Sequence, residues 1–207
     1  MFEDREQAGD LLALKLKKII KGEDFIIVPL LRGGIILGKR ISDYFNLPQK
    51  PLAVKKIAAP FNPELGIGAV TVDKTYYFNE EMIRDLNISV DYRKKALENK
   101  YQEAKLLQEK IEKNIEKISY KEKTAVVVDD GVAIGNTVIC ASIYLKKQKV
   151  KKIILATPVI SKDGINSIKN YFDKVISLKI VSSFSAIGEF YRYFPQVSEE
   201  EVFSRMV

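Results

Sequence analysis

Two adjacent aspartates, Asp129 and Asp130, follow an apolar run of mostly β-branched residues and precede a loop with two glycines. An apolar run of this kind is typical of a strand that is buried on both faces of a parallel sheet. The loop leads into a helical pattern that begins near Asn136 and Thr137. Backbone N–H groups at the start of a helix can bind phosphate, and carboxylates can bind sugar hydroxyls or a metal ion. Residues 124–137 therefore predict a site for a phosphorylated pentose at the carboxyl end of a parallel strand.

The rest of the chain alternates between apolar strands and helical segments, which would position such a loop. Strands are predicted at residues 25–30, 52–57, 124–128, 151–158 and 174–181, and helices at 11–20, 35–45, 79–119, 136–147, 162–171 and after Ser198. A loop is predicted over residues 58–66, and short strands or a hairpin between residues 68 and 78. This alternation favours an α/β fold with a doubly wound, mostly parallel sheet and helices on both faces. We predict one domain over residues 1–207, with its core over about 22–181.

The long helical segment, about 79–119, has a predicted break near residues 87–89. Its seam residues are spaced alternately by four and three: Leu97, Tyr101, Ala104, Gln108, Ile111, Ile115 and Ile118. Such spacing is typical of helices that pack as coiled coils, with Gln108 as the one polar interruption. The seam predicts either a homodimer contact or packing of the helix on its own domain.

The chain has no histidine and a single cysteine, Cys140. The lack of histidine excludes His-ligated metals and Ser-His-Asp triads, so any proton transfer must use Asp, Glu, Lys, Tyr or water. One cysteine allows no intrachain disulfide, and the first residues lack the pattern of a signal peptide. No apolar stretch approaches the length of a membrane helix. We therefore expect a cytoplasmic protein without a membrane partner.

The net charge is +7, and most of the basic residues are lysines. Three interpretations are open: a surface for nucleic acid or membrane, a lysine-rich solvated surface, or a basic site for a small polyanion. Acidic residues are interleaved with the lysines along the chain, which favours the solvated surface over a nucleic-acid partner.

Residues 126–137 resemble the phosphoribosyl-pyrophosphate (PRPP) loop of the type I phosphoribosyltransferases, in particular a phosphoribosyltransferase-like branch of bacterial and archaeal proteins. The resemblance extends to Arg32-Gly33-Gly34 after an earlier strand. It continues through short segments that include Asp4-Arg5, Lys56-Ile57, residues 62–70 and residues 191–198, so it covers nearly the whole chain.

This resemblance implies a role for each part of the site. Asp129 and Asp130 would accept hydrogen bonds from the ribose 2- and 3-hydroxyls, and they are predicted to be catalytic together with Arg32 and Lys56. The 5-phosphate would be bound by Ala133, Ile134, Gly135, Asn136 and Thr137. The pyrophosphate would be bound by Leu31, Arg32, Gly33 and Gly34, in a loop whose Leu31–Arg32 peptide is expected to be cis.

The resemblance also implies a flexible loop, a cover for the acceptor and a cofactor. The flexible loop would span about 57–78 and exclude water, and Lys56 rather than Lys55 would face the site because strand residues alternate. The tail, about 182–207, would form a small hood subdomain that contacts the acceptor through Phe184, Phe190 and Tyr191. Phe190 and Tyr191, together with Tyr193 and Phe194, are equally consistent with the hood's own core. Mg²⁺ would be held mainly by PRPP and water, with no direct protein ligand.

Two positions depart from the family pattern. Ile134 stands where most active members have threonine, which removes one hydrogen bond to phosphate, worth about 1.5–3 kcal/mol. Ala133 stands where the 6-oxopurine enzymes have an acid, so hypoxanthine and guanine are disfavoured as acceptors.

The sequence therefore predicts an Mg-dependent phosphoribosyltransferase that uses PRPP and an unidentified nitrogenous acceptor. The alternatives are a non-catalytic sensor of PRPP or nucleotide, with or without nucleic-acid binding, and another sugar-phosphate enzyme that uses the same pocket.

Overall fold

A seven-stranded sheet forms the centre of the computed structural model, which describes residues 1–115 and 117–206. The strands are β1 (Phe25–Leu31), β2 (Leu52–Ala59), β3 (Asn62–Thr71), β4 (Tyr76–Phe78), β5 (Thr124–Val128), β6 (Lys152–Ser161) and β7 (Lys174–Val181). The helices are α1 (Arg5–Leu16), α2 (Gly34–Phe45), α3 (Glu80–Asp85), α4 (Val90–Glu112), α5 (Asn136–Lys147), α6 (Lys162–Ile168) and α7 (Glu199–Ser204), with a 3-10 turn at Ile187–Phe190.

The strand order is β4-β3-β2-β1-β5-β6-β7. Strands β2, β1, β5, β6 and β7 are parallel to one another, whereas β3 and β4 add an antiparallel edge. Alternate residues of the central strands face opposite layers: Ile26 and Val28 pack towards α5, while Ile27 packs towards α1 and α2. The predicted α/β class, the mostly parallel sheet and the helices on both faces are confirmed.

The predicted loop at residues 58–66 is wrong, because this segment forms a hairpin. Strands β2 and β3 pair from Val54 with Thr71 to Ala59 with Asn62, so the chain reverses at Pro60 and Phe61. The two prolines that indicated a loop lie at this turn and just after it. Beyond them, residues 68–70 of β3 pair with β2 on one side and with β4 on the other. The predicted flexible loop over about 57–78 thus contains a hairpin with an exposed tip at residues 60–64, and its mobility stays a prediction.

The long helical segment breaks between α3 and α4, as predicted, and its seam packs on the chain's own sheet. Ala104, Gln108 and Ile111 are buried against it. Gln108, the polar interruption, joins α4 to the start of β2. It accepts a hydrogen bond from Ala53 N at 2.9 Å and donates one to Pro51 O at 3.3 Å. Of the two predicted roles of the seam, packing on its own domain is the one observed. The homodimer stays a prediction, and the seam no longer supports it.

The tail does not separate from the main core. Phe2 N donates to Phe190 O at 2.7 Å, Arg192 N donates to Phe2 O at 2.8 Å, and Tyr191 is buried in the cluster that contains α1 and α2. A distinct hood subdomain is thus not confirmed. Among the residues that the model describes, no helix is both long and apolar enough to cross a membrane.

Candidate functional site

A cleft of about 700 Å³ opens at the carboxyl ends of β1 and β5. These strands are neighbours, with Pro29 opposite Val128, so the loops that follow them meet at one edge of the sheet. The cleft is lined by residues 31–33 after β1, residues 129–138 after β5, parts of the hairpin and tail residues 184–188. Open α/β sheets bind ligands at such edges.

The loop after β5 ends in an open helix N-terminus. Gly135 has a φ of 96°, which favours glycine, and it precedes α5 without any side-chain cap. Asn136 is 6% exposed and donates its Nδ2–H to Gly66 O at 2.7 Å, which ties the loop to β3. Its Oδ1 has no hydrogen-bond partner among the described residues. Ala133, Ile134 and Thr137 also line the cleft, so all five predicted phosphate-loop residues lie together there.

The loop after β1 approaches the same space. The Leu31–Arg32 peptide is cis, as the resemblance implied. Gly33 is the N-cap of α2 and makes no side-chain cap. A Cβ on Gly33 would overlap the Asp130 carboxylate, and a Cβ on Gly34 would overlap the Val128 carbonyl oxygen. The two glycines therefore allow this loop to lie directly against the end of β5.

The α-helices of the described chain differ in how their N-termini are satisfied. Five are capped by side chains that accept a backbone N–H, from Asp4, Asn79, Ser89, Ser161 and Ser198. The two without such a cap are α2 and α5, whose N-caps, Gly33 and Gly135, both line the cleft. In α2, Ile35 N donates to Arg32 O at 3.2 Å, but no side chain of the described residues caps either N-terminus. The positive ends of the two helix dipoles therefore favour an anion in the cleft.

The two carboxylates have unequal environments. Asp130 is 8% exposed, and its Oδ2 accepts a hydrogen bond from Arg5 Nε at 2.8 Å in a buried ion pair. The Arg5 guanidinium also lies 3.6 Å from the centre of the Phe194 ring and donates to Pro195 O at 2.8 Å. Asp129 is half-buried and has no cationic partner within hydrogen-bonding distance among the described residues. Asp129 Oδ1 accepts a hydrogen bond from Asp130 N at 3.1 Å, so within the described chain this carboxylate has a backbone donor but no cation.

The electrostatics follow from this asymmetry. Burial, and then the neighbouring Asp130 carboxylate, raises the pKa of Asp129 well above its usual range. Burial also raises the pKa of Asp130, although the ion pair with Arg5 opposes this shift. A cation or a hydrogen-bond donor from a ligand would relieve the cost of the Asp129 charge.

The basic residues at the mouth of the cleft include Arg32 and Lys56. Lys56 lines the cleft while Lys55 does not, which agrees with the predicted alternation along β2. Lys56 Nζ donates to Glu64 O at 3.2 Å and lies 3.5 Å from Glu64 Oε2 across the hairpin. Both Lys56 and Glu64 are substantially exposed, so this contact is weak and can be exchanged for a ligand.

The predicted acceptor residues do not all reach the cleft. Phe184 lines it, beside Ile187. Phe190 instead packs edge-on against Phe184, with ring centres 5.1 Å apart, and belongs to the core cluster below. Tyr191 is 5% exposed and stacks on Phe194, and its hydroxyl donates to Asp130 O at 2.7 Å. For Phe190 and Tyr191 the structure supports the alternative role as core residues.

Sequence reasoning gave no individual role to Arg5 or Ser161. Arg5 lies 125 positions before its partner Asp130, at the start of a charged helix, where an arginine is ordinarily a surface residue. Ser161 Oγ accepts a hydrogen bond from Gly164 N, which caps α6, and donates one to Ala133 O. A single hydroxyl thus connects α6 to the loop after β5. No local pattern marks these long-range contacts.

Comparison with known proteins agrees with this geometry. A model of the phosphoribosyl transferase domain matches residues 2–194. Proteins from two strains of Mycobacterium tuberculosis, named as phosphoribosyl transferases, are each 29% identical over 202 residues, which is 98% of this chain and 45% of theirs. The chain therefore spans about half the length of these curated relatives.

Solved structures share the fold. The protein TT1426 from Thermus thermophilus is similar with a TM-score of 0.79 and 25% identity, over 99% of this chain and 97% of that one. A Neisseria gonorrhoeae protein solved with bound ppGpp has a TM-score of 0.52 and 12% identity, over 100% and 97% of the two chains. The second likeness concerns the fold alone.

Proposed function

Because this chain belongs to the phosphoribosyltransferase family, we propose that it transfers the 5-phosphoribosyl group from PRPP to a nitrogenous acceptor and releases pyrophosphate. The observation that carries the proposal is the meeting, in one cleft, of two helix N-termini without a side-chain cap and of Asp129, a carboxylate with no cationic partner among the described residues. PRPP has an anionic group at each end of a sugar with two hydroxyls. The cleft offers anion sites after β1 and β5, and Asp129 between them.

Each part of the cleft has a task in this proposal. The N–H groups of residues 133–137 and the Thr137 hydroxyl bind the 5-phosphate. Asp129 accepts hydrogen bonds from the ribose hydroxyls, while Asp130, held by Arg5, fixes the position of the loop. Residues 31–34 and Lys56 bind the pyrophosphate and stabilise the negative charge that it gains as the bond to C1 breaks. Catalysis then comes mainly from positioning and charge stabilisation.

Mg²⁺ fits this site as a partner of the substrate. Within the described residues, no group of three or more Asp, Glu, Cys or His side chains could hold a metal ion. The half-buried Asp129, with its raised pKa, is the carboxylate that a cation carried by PRPP would approach. Such an ion supplies neutralisation of the pyrophosphate charge, and Asp129 would face it through water.

The walls of the cleft limit the acceptor. Phe184 and Ile187 offer an apolar surface on which a flat ring can lie, a contact worth about 1–3 kcal/mol per base. Ala133 provides no acid to exchange a proton with the acceptor. We therefore expect an acceptor other than a 6-oxopurine, either another heteroaromatic base or a small amine.

Turnover tests the proposal. The protein is incubated with PRPP, Mg²⁺ and single members of a panel of bases and amines, and pyrophosphate release is measured. We expect release that depends on one acceptor and is lost in Asp129→Asn. Tight PRPP binding without turnover of any acceptor would contradict the transferase and favour the second candidate.

The second candidate is a non-catalytic PRPP or nucleotide sensor. Ile134 in the phosphate loop and the pairing of Asp130 with Arg5 favour it, because each removes a polar group that a substrate could contact. Release of ribose 5-phosphate without any acceptor would instead point to another sugar-phosphate enzyme.

A further inference from the structure

The positive charge of the molecule is concentrated at the edge opposite the cleft. This lysine edge consists of residues 17–24, 120–124, 146–152 and 169–174, which precede β1, β5, β6 and β7 or end the helices before them. It contains twelve lysines and four acidic residues, whereas the whole chain has 34 basic and 27 acidic residues. The net charge of +7 is therefore carried by this edge, and the rest of the molecule is close to neutral.

Strand register brings these segments into one row. Lys151 N donates to Lys123 O at 2.8 Å, Glu122 N donates to Lys149 O at 3.0 Å, and Thr124 N donates to Asp24 O at 2.8 Å. Lys174 lies opposite Ile154, two residues after Lys152. Four neighbouring strands about 4.8 Å apart give a row of roughly 14 Å. Lysines distant in the sequence, and there interleaved with acids, are thus adjacent in the fold.

The lysines of this edge are not used by the protein itself. Ten of them form no ion pair, side-chain hydrogen bond or ring contact among the described residues: Lys17, Lys18, Lys21, Lys121, Lys123, Lys149, Lys151, Lys152, Lys169 and Lys174. All are exposed except Lys123, which is half-buried. By contrast, Lys74, Lys100 and Lys110 elsewhere lie 2.6–2.7 Å from glutamates.

We propose that the lysine edge binds the phosphate backbone of a nucleic acid without reading its sequence. Lysines from four neighbouring strand ends lie within this row of roughly 14 Å, and we expect them to neutralise about four phosphates. Sites that bind membrane surfaces combine basic residues with exposed apolar ones. The large apolar residues that are exposed in the described chain, such as Leu14, Tyr76 and Ile180, all lie outside the four segments of the edge. This favours a nucleic acid over a membrane.

The test compares two variants that lose the same charge. Lys151, Lys152 and Lys174 are changed to Gln in the edge variant, and Lys94, Lys95 and Lys113 are changed to Gln in the control, since these also are exposed and have no ion pair among the described residues. Binding of a fluorescent single-stranded 20-mer is measured by anisotropy between about 25 and 200 mM salt, and thermal unfolding verifies that both variants fold.

We expect the wild type to bind with a slope of log K against log salt of about −3, or roughly −0.7 for each of four phosphates. The edge variant should lose about two units of that slope and at least about tenfold in affinity at low salt, while the control changes little. Equal losses in both variants, or no binding by the wild type at the lowest salt concentration, would overturn the proposal. So would binding of anionic vesicles but not of the 20-mer. The cleft plays no part in the outcome, so it is independent of the proposed transferase.

Discussion

The difference between Asp129 and Asp130 is the main feature of the site at the scale of residues. The sequence presents them as equivalent neighbours, but the fold pairs Asp130 with Arg5 and gives Asp129 no cationic partner among the described residues. This could not be predicted, because Arg5 lies 125 positions before Asp130 in the sequence. We therefore propose that Asp130 mainly stabilises the loop and that Asp129 is the carboxylate that binds the ligand.

Asp129→Asn should stabilise the ligand-free protein and weaken PRPP binding. The raised pKa means that the ionised carboxylate is less stable in the folded state than in the unfolded chain. The melting temperature should rise by about 2–4 °C for each kcal/mol by which the substitution increases the free energy of unfolding. PRPP affinity should fall by roughly 10–100-fold, because a charge-assisted hydrogen bond of about 1.5–3 kcal/mol is lost.

The pH dependence of this stability difference has a definite sign. Below the ordinary aspartate pKa of about 3.9 the wild-type carboxyl is neutral in both states, so the two proteins should be equally stable. As the pH rises, the unfolded chain ionises first, and the wild type loses stability relative to the variant until the folded pKa is passed. A difference that is constant from about pH 4 to pH 8, measured by denaturant unfolding, would contradict this assignment.

Arg5→Gln should destabilise the protein strongly, by about 3–5 kcal/mol, because it leaves Asp130 buried without its cation. The double variant Arg5→Gln, Asp130→Asn should recover much of that loss, since both charges are then absent. Denaturant unfolding of the two single variants and the double variant measures the coupling. If the double variant loses as much free energy of unfolding as the two single variants combined, Arg5 and Asp130 are not energetically coupled, which would contradict the assignment.

At the scale of elements, much of the fold follows from the sequence. The bounds of β5, α5 and β7 agree with prediction because continuous apolar runs and glycine positions mark them. The hairpin of β2 and β3 was missed because Pro60 and Pro63 have the local pattern of a loop, whereas pairing with neighbouring strands determines the outcome. The cleft was predictable from the loops after β1 and β5, but its contacts with the tail were not.

Gly135→Ala should disrupt the N-terminus of α5 and should destabilise the protein more than Gly22→Ala. A Cβ at Gly135 would require an unfavourable φ of 96° and would lie 2.7 Å from Ile168. Gly22 is a matched control, because its φ is 88° but nothing lies within 4 Å of its Cβ. Gly22→Ala should cost about 1–2 kcal/mol from the backbone alone. Gly135→Ala should cost more and also abolish PRPP binding, and equal effects of the two variants would contradict this account.

Cys140 should be unreactive in the folded protein. It is fully buried on α5, its thiol donates to Ala69 O at 3.3 Å, and burial raises its pKa to about 12. Labelling with a disulfide reagent at about pH 8 should therefore be slow in buffer and complete in denaturant. Rapid labelling of the native protein would show that the α5–β3 contact opens readily.

At the scale of the whole molecule, the two ends of the parallel strands differ in chemistry. The carboxyl ends form a cleft with two helix N-termini that no described side chain caps, and the amino ends form a row of lysines, most of which have no side-chain partner among the described residues. The cleft can be predicted from the sequence, because the residues of each of its loops are contiguous. The lysine edge cannot, because its lysines become adjacent only after β1, β5, β6 and β7 have paired.

The central claim is that the cleft binds PRPP through main-chain N–H groups, with Asp129 on the ribose. Titration calorimetry of the purified protein with PRPP and Mg²⁺ tests it most directly. The account predicts saturable binding of one PRPP per chain, weaker binding of ribose 5-phosphate, and loss of both in Gly135→Ala but not in Gly22→Ala. Absence of heat with either ligand at millimolar concentration, with Mg²⁺ present, would contradict it.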